Sequence, residues 1–390
     1  MTKITLSAVG DISFAAQVEK DIIKHGTAYP FEKVIPELKK ADILFGNLES
    51  VMIPEDFPLT ETSGHPLQSR DSALEALRPV GFDILQAASN HVLDCGWRGL
   101  LHTYNCIKSI GVQSLGTGPS QKEARKLRIV EKGGMKIGFL GYLQAGDWTL
   151  EGGGERIAYL KQKDVISDIR KHRAKVDVLV ISIHADIEFQ PAPSIPRLKL
   201  CRAIAEAGAD LILCHHPHVP QGIEKWGNCL IHYSLGNLIF QLGGYQISNS
   251  PNVTKSHIFS VDIENGKITD WHRKYLKINM SECRPYTLSP AEEKEEDKYY
   301  KWLDSLLKSP EKLTELWHEN CLRRLAKIMD GIRGEASMTP QLFLQKYGRQ
   351  LFSDMCHEYL DGLYEMANDD YQKNAHNDFE FKRPYAPYEQ

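Results

Sequence analysis

No CxxC pair occurs in this chain of 390 residues, and its eight cysteines, at positions 95, 106, 201, 214, 229, 283, 321 and 356, keep no regular spacing. Without such pairs the thiols are expected to be reduced and mostly structural. A basic excess is missing too: 47 Lys and Arg against 51 Asp and Glu leave a formal net charge of -4, which offers no field to attract nucleic acid. Long apolar runs are also absent, because Asp, Lys or His interrupts each one before it reaches the length of a membrane-spanning helix. The segment Met1-Thr2-Lys3-Ile4-Thr5-Leu6 runs straight into a strand-like stretch, lacking the apolar core and cleavage site of a secretory signal. A cytoplasmic chain is therefore expected. There is no internal repeat and no low-complexity tract.

What is present is an alternation of short β-rich runs with amphipathic helical stretches from Ile4 to about Leu276, the pattern of a sheet covered by helices. The clearest strands are expected at Ile4–Val9, Ile43–Phe45, Ile84–Ala87, Ile137–Leu140, Val178–Ile183, Leu211–Leu213 and Leu230–Tyr233. Helical periodicity marks Asp164–Lys175 and Pro196–Ala207, with Pro196 suited to a first turn and Gly208 to a carboxyl-terminal cap. After Ile278 the character changes. Pro285, Pro290 and the charged run from Glu292 to Lys298 introduce helices over Ala291–Leu307, Glu311–Ile332 and Gln341–Asn368. The expected organisation is an α/β domain over 1–280, a helical extension over 285–368 and an extended tail over 369–390. Apolar residues at helical spacing in the extension suit packing on the main domain, and the extension is also a candidate surface for a protein partner.

In open α/β sheets, ligands bind at the carboxyl ends of the strands. The polar residues there are Gly10-Asp11 after the first strand, Gly46-Asn47-Leu48-Glu49 after the second, and Ser89-Asn90-His91 through Asp94-Cys95-Gly96 after the third. His184 and then His215-His216-Pro217-His218 follow later strands. A lone strand-end histidine is more often a hydrogen-bonded structural residue than a ligand. Six suitable residues in series, Asp11, Glu49, Asn90, His184, His216 and His218, point instead to one or two divalent ions. Two carboxylates, an amide oxygen and three imidazoles suit Mn, Fe, Zn or Co better than Ca or Mg, which prefer all-oxygen shells. His91 and Asp94 are either ligands or partners that fix the loop by hydrogen bonding. Cys214, beside the histidines, reads as a small buried strand residue, with a ligand or nucleophile as the competing reading.

These motifs resemble, in order, those of the CapA-type family of poly-γ-glutamate and capsule biosynthesis proteins, within the calcineurin-like metallophosphoesterase superfamily. Ala8-Val9-Gly10-Asp11, Gly46-Asn47-Leu48-Glu49 and Ser89-Asn90-His91 with Asp94 and Gly96 are similar to its first three blocks. His184 with Glu188-Phe189-Gln190-Pro191, His216-Pro217-His218-Val219 with Gln221, and His232-Tyr233-Ser234-Leu235-Gly236-Asn237-Leu238-Ile239-Phe240 are similar to the next three. The resemblance covers about Ile4 to Phe240. It implies central mixed β-sheets flanked by helices, with the metal set named above and Glu49 in the bridging position. It also places His91 in the acid/base role, and the catalytic candidates are His91 and Asp94. Ser13 stands where metallophosphoesterases carry a histidine, Glu49 replaces their aspartate, and Ala185-Asp186-Ile187 replaces a tryptophan and glycine.

The function implied is metal-dependent hydrolytic or acid/base chemistry on a peptide-like or polyanionic substrate such as a polyglutamate or capsule precursor. Three alternatives come with it: a peptide epimerase, a phosphomonoesterase or phosphodiesterase, and a non-catalytic assembly module for polymer synthesis. Arg70 and Glu188 are the candidate substrate-contacting residues. Arg98, Lys199 and Arg202 read as solvated surface charges. Glu188 also reads either as an acceptor for the second ring nitrogen of His184 or as a residue that simply faces solvent.

Overall fold

The computed structural model describes residues 2–57, 66–145, 154–333 and 358–366. The first half runs β1 (Lys3–Ile12), α1 (Gln17–His25), α2 (Ile35–Leu38), β2 (Ile43–Leu48), β3 (Val51–Ile53), β4 (Gln68–Arg70), α3 (Asp71–Leu74), β5 (Ile84–Gln86), α4 (Gly96–Ser109), β6 (Gln113–Leu115), α5 (Gln121–Ala124), β7 (Arg128–Lys132) and β8 (Met135–Leu143). The second half runs α6 (Gln162–His172), β9 (Val178–His184), α7 (Ile195–Glu206), β10 (Leu211–His215), β11 (Ile223–Trp226), β12 (Cys229–His232), β13 (Asn237–Ile239), α8 (Gly244–Asn249), β14 (Lys255–Glu264), β15 (Lys267–Asn279), β16 (Arg284–Thr287), α9 (Pro290–Leu306) and α10 (Pro310–Arg333).

Two mixed sheets carry the fold. One has the order β16-β15-β14-β1-β2-β5-β6, with β13 beside β1, and the other β11-β12-β10-β9-β8-β7. They stack face to face. Ile4, Leu6, Ala8 and Phe45 of the first sheet share an apolar layer with Phe139, Val178, Val180, Leu211 and Leu213 of the second. The alternate residues turn outward: Val9, Ile12 and Leu44 pack with α1 and α2, while Leu179, Ile181, Ile183, Ile212 and Cys214 pack with α6 and α7. This period-two alternation is how a strand feeds two cores at once. The alternation of apolar runs suggested one sheet covered by helices, and the family resemblance implied central mixed sheets flanked by helices, which is what the structure has. In the structure each sheet has helices on one face and the other sheet on the opposite face.

Local sequence explains the boundaries. α7 starts where Ser194 Oγ accepts from the Arg197 backbone N–H at 3.2 Å, with Pro196 in the first turn, and Gly208 adopts φ of 117° beyond its end. α9 starts on a reciprocal cap between Ser289 and Glu292. The β14–β15 hairpin closes on Asn265-Gly266, both at positive φ (51° and 72°), the pairing favoured in tight hairpin turns. Tyr300, Leu303, Leu306 and Leu307 of α9 and its end complete the outer core of the second sheet. Of the third expected helix, Gln341–Asn368, only 358–366 is described. It is helical and stacks Tyr359 on Trp317 of α10, with ring centroids 5.6 Å apart. The rest of that helix and the tail over 369–390 lie outside the described residues. No helix among the described residues is long and apolar enough to cross a membrane.

Candidate metal centre

The carboxyl ends of β1, β2 and β5 from one sheet meet those of β9 and β10 from the other. The β1–β2 register runs Ala8 to Phe45 and then Asp11 to Asn47, one extra residue on β1. Such a bulge re-aims the side chains beyond it. Asp11 is thereby turned toward Asn47, whose Nδ2 donates to Asp11 Oδ1 at 2.9 Å. Gly10 permits the bend. A Cβ there would stand 2.0 Å from the carbonyl oxygen of Gly236, which accepts from Asp11 N–H at 2.8 Å. Glu49 lies two residues beyond Asn47, the spacing that returns to the same face of an extended chain.

The second sheet supplies imidazoles. His184 ends β9, and His216 and His218 follow β10 with φ of 98° and 58°. Asp186 (97°) and Phe189 (65°) share this left-handed region. Each such conformation costs about 1–3 kcal/mol outside glycine and persists where the surroundings over-determine it. Here Phe189 N–H donates to Pro217 O at 2.8 Å, Asp186 N–H to Gln144 Oε1 at 3.0 Å, and Ser194 N–H to Asp186 Oδ2 at 3.0 Å. Two strained loops are thus tied together beneath the imidazoles.

Donor atoms converge in overlapping groups. Glu49, His184 and His216 form one, Asp11, Glu49 and His218 a second, and Glu188, His216 and His218 a third, each with its donor atoms within 4.8 Å of one another. Glu49 Oε1 sits 3.7 Å from both His184 Nε2 and His218 Nε2. Asn90 Oδ1 joins the first group at 2.9 Å from His184 Nε2. On the far side Asp11 Oδ2 lies 3.5 Å from His218 Nδ1. The structure therefore brings all six expected ligand residues to one place.

Electrostatics bear on whether a cation fits. Both Glu49 oxygens are buried without a hydrogen bond among the described residues, as are Asn47 Oδ1 and His216 Nδ1. Burial, then the negative charges of Asp11, Glu188 and Asp94, push the Glu49 carboxyl well above its ordinary value. Burial and then the neighbouring His216, His215 and His218 hold His184 well below the ordinary imidazole range, and burial takes His216 down to about 4. Two neutral imidazoles, His184 and His216, beside a buried acid whose ionised form is disfavoured are the complement of a divalent ion, which stabilises the carboxylate and uses the lone pairs left over. The residues fit one or two such ions.

His91 Nδ1 pairs with Asp94 Oδ2 at 2.8 Å, and that oxygen also accepts from Leu67 N–H at 2.7 Å. His91 directly follows Asn90, whose Oδ1 lies 2.9 Å from His184 Nε2, so the loop brings it beside the donor groups. Glu188 meets His216 and His218, whereas the second nitrogen of His184 faces Asn47 Nδ2 at 3.2 Å. The orienting partner of His184 is therefore Asn47. The guanidinium of Arg70 donates to the carbonyls of Pro54 and Phe57, which braces the loop after β3. Cys214 packs against Cys201, and that contact together with burial raises its thiol, in the outer core and apart from the donor groups. Ser13 is buried and its Oγ accepts from Ala15 N–H.

Sequence reasoning missed three residues. Asn47 binds Asp11. His215 Nδ1 lies 3.5 Å from Asp11 Oδ1, with neither ring nitrogen hydrogen-bonded among the described residues. Asn237, present in the sixth motif but given no site role there, holds His218 Nδ1 with its Oδ1 at 2.9 Å and ties down the His218 carbonyl through Nδ2 at 3.1 Å.

Comparison with known proteins follows the same residues. The capsule biosynthesis protein CapA of Bacillus anthracis is 30% identical over 259 residues, covering 64% of this chain and 62% of that protein. The PGA biosynthesis protein CapA of Bacillus subtilis is 30% identical over 247 residues, covering 62% of this chain and 64% of its own length. The chain thus spans less than two thirds of these relatives. A solved 5'-nucleotidase from Candida albicans aligns with a TM-score of 0.41 at 13% identity, over 80% of this chain and 58% of that one, a likeness too low to add to the assignment. The model of the family described as bacterial capsule synthesis protein PGA_cap matches residues 5–242, which include every residue of the centre described above, and the chain belongs to that family.

Proposed function

We propose that the chain is a metal-dependent enzyme that hydrolyses a peptide-like, polyanionic polymer of the polyglutamate or capsule-precursor class. The observation that carries this reading is Glu49: a carboxylate with both oxygens buried and unbonded, shared by two donor groups that include His184 and His216 on one side and Asp11 and His218 on the other. The polymer class rests on the family and on the printed names of the two CapA relatives. When bound, divalent ions supply Lewis acidity that polarises a carbonyl or phosphoryl group and acidifies water.

The chain's own residues do the rest. Asn237 and Asn47 fix the ring of His218 and the carboxylate of Asp11, so that these donors are pre-positioned. Asp94 holds the proton on His91 Nδ1, leaving Nε2 to carry a proton to the leaving group. Four acids, Asp11, Glu49, Asp94 and Glu188, would repel a polyanion from this cleft unless cations offset them, which couples substrate binding to metal loading.

The test uses the full chain loaded with Mn²⁺, Zn²⁺ or Co²⁺ and incubated with γ-linked polyglutamate, reading new amino groups. Release is expected, falling by about 10²-fold or more in His91→Ala at unchanged metal content. No release with any ion, or undiminished release by His91→Ala, overturns the proposal.

A further inference from the structure

One group of metal-ligating side chains lies apart from the centre among the described residues. α4 presents His102 and Cys106 four positions apart, and therefore on one face, while Asp71 reaches them from the start of α3. His102 Nε2 lies 2.8 Å from Asp71 Oδ1 and 2.9 Å from Oδ2. Cys106 Sγ lies 3.4 Å from the same nitrogen and 3.5 Å from Asp71 Oδ1.

The use of a single nitrogen decides between two chemistries. A Cys-His-Asp relay for nucleophilic attack needs the carboxylate on one ring nitrogen and the thiol on the other, so that a proton can cross the ring. Here carboxylate and thiol both face Nε2. Three donors aimed at one point are what a cation requires. Metal–ligand lengths of about 2.0–2.3 Å in a tetrahedral site set donor–donor edges of roughly 3.3–3.6 Å. The two sulfur edges already match, and the His102–Asp71 edge must open by about half an ångström.

We propose that Asp71, His102 and Cys106 form a second metal site, for a borderline-soft divalent cation of the zinc type. One thiolate, one imidazole and one carboxylate select against Mg and Ca, whose shells are oxygen. The His102 and Asp71 side chains keep 32% and 36% exposure, so an ion enters without unfolding and its fourth position faces solvent. Bound there, it clips α3 to α4, the helix that continues directly from the loop carrying Asn90, His91 and Asp94.

The central donor groups contain no thiol, which gives the test its selectivity. The full chain, stripped with chelator, is titrated with Co²⁺ and followed for the near-ultraviolet cobalt–thiolate charge-transfer band. The band is expected in the wild-type chain, displaced by Zn²⁺, absent from Cys106→Ser, and formed with about tenfold or more weaker affinity in His102→Ala, since losing a ligand costs at least what losing its outer partner does. The visible cobalt absorption of the central groups should persist in both variants, which shows that they are folded. No band in the wild-type chain at excess cobalt, or the same band in Cys106→Ser, overturns the proposal.

Discussion

Replacing Gly10 by alanine is expected to damage the centre without touching a donor atom. The added Cβ would lie 2.0 Å from Gly236 O, 2.6 Å from Gly236 C and 3.0 Å from Leu235 O. Carbon–oxygen contacts settle near 3.3–3.6 Å, so one backbone must retreat by about an ångström or more. Neither side can yield a rotamer, because all three facing atoms are main chain. Overpacking of this kind costs about 1–3 kcal/mol, and retreat also breaks the Asp11 N–H bond to Gly236 O, worth about 1 kcal/mol. The expected loss is therefore about 2–4 kcal/mol, read as a lower urea midpoint at unchanged m-value. Gly244→Ala, where a Cβ meets nothing within 4 Å, serves as the control and should be close to neutral. Because Gly236 leads into Asn237, the same retreat should also weaken metal retention. A Gly10→Ala loss under about 1 kcal/mol, with metal content unchanged, would refute the close-approach argument.

Asn237→Ala frees the His218 ring and should weaken metal affinity by about 10–100-fold in chelator competition, with an unchanged affinity telling against the orienting role. The buried pair His232 and His257, with Nε2 atoms 2.8 Å apart, is held well below the ordinary imidazole value, in both cases mainly by burial and then by neighbouring positive charge. Their contribution to stability is complete above the unfolded value of about 6.5 and is lost as pH falls below it. Urea unfolding between pH 7.5 and 5 should therefore show a slope that shrinks in His232→Gln, and an identical slope would contradict this. Truncation before α9 removes Tyr300, Leu303, Leu306 and Leu307 from the second sheet's core. At about 2 kcal/mol each the loss is on the order of 8 kcal/mol, comparable to a domain's whole stability, so circular dichroism should report unfolding rather than a folded core that retains its metal.

What could be read from the sequence follows from what each pattern constrains. The apolar runs at Val178–Ile183 and Leu211–Leu213 identified strands β9 and β10, and Ser194 with Pro196 and Gly208 bounded α7. Stacking of two sheets was hidden, because a strand covered by a sheet and a helix layer is as uniformly apolar as one covered by helices on both faces. The β14–β15 hairpin was overlooked although Asn265-Gly266 marked it. At the centre, residue types at strand ends identified the six candidates, but which nitrogen each partner meets depends on the β1 bulge and on positive φ at His216 and His218, which spacing does not encode. Period-two spacing from Glu49 would have added Asn47. Charge type suggested Arg70, whose guanidinium the fold uses on carbonyls.

The central claim is that Glu49 completes a cation site, and metal analysis of the purified chain beside Glu49→Gln tests it most directly. Glutamine keeps the shape and removes the charge, so the variant should fold, and without the buried carboxyl it should tolerate chelator at least as well as the wild-type chain. Stoichiometric divalent metal in the wild-type chain, lost from the donor groups around Glu49 in the variant, is the predicted result. A wild-type chain that binds no ion after reconstitution with Mn²⁺, Fe²⁺, Co²⁺ and Zn²⁺, or a variant that holds the same amount as firmly, would contradict it.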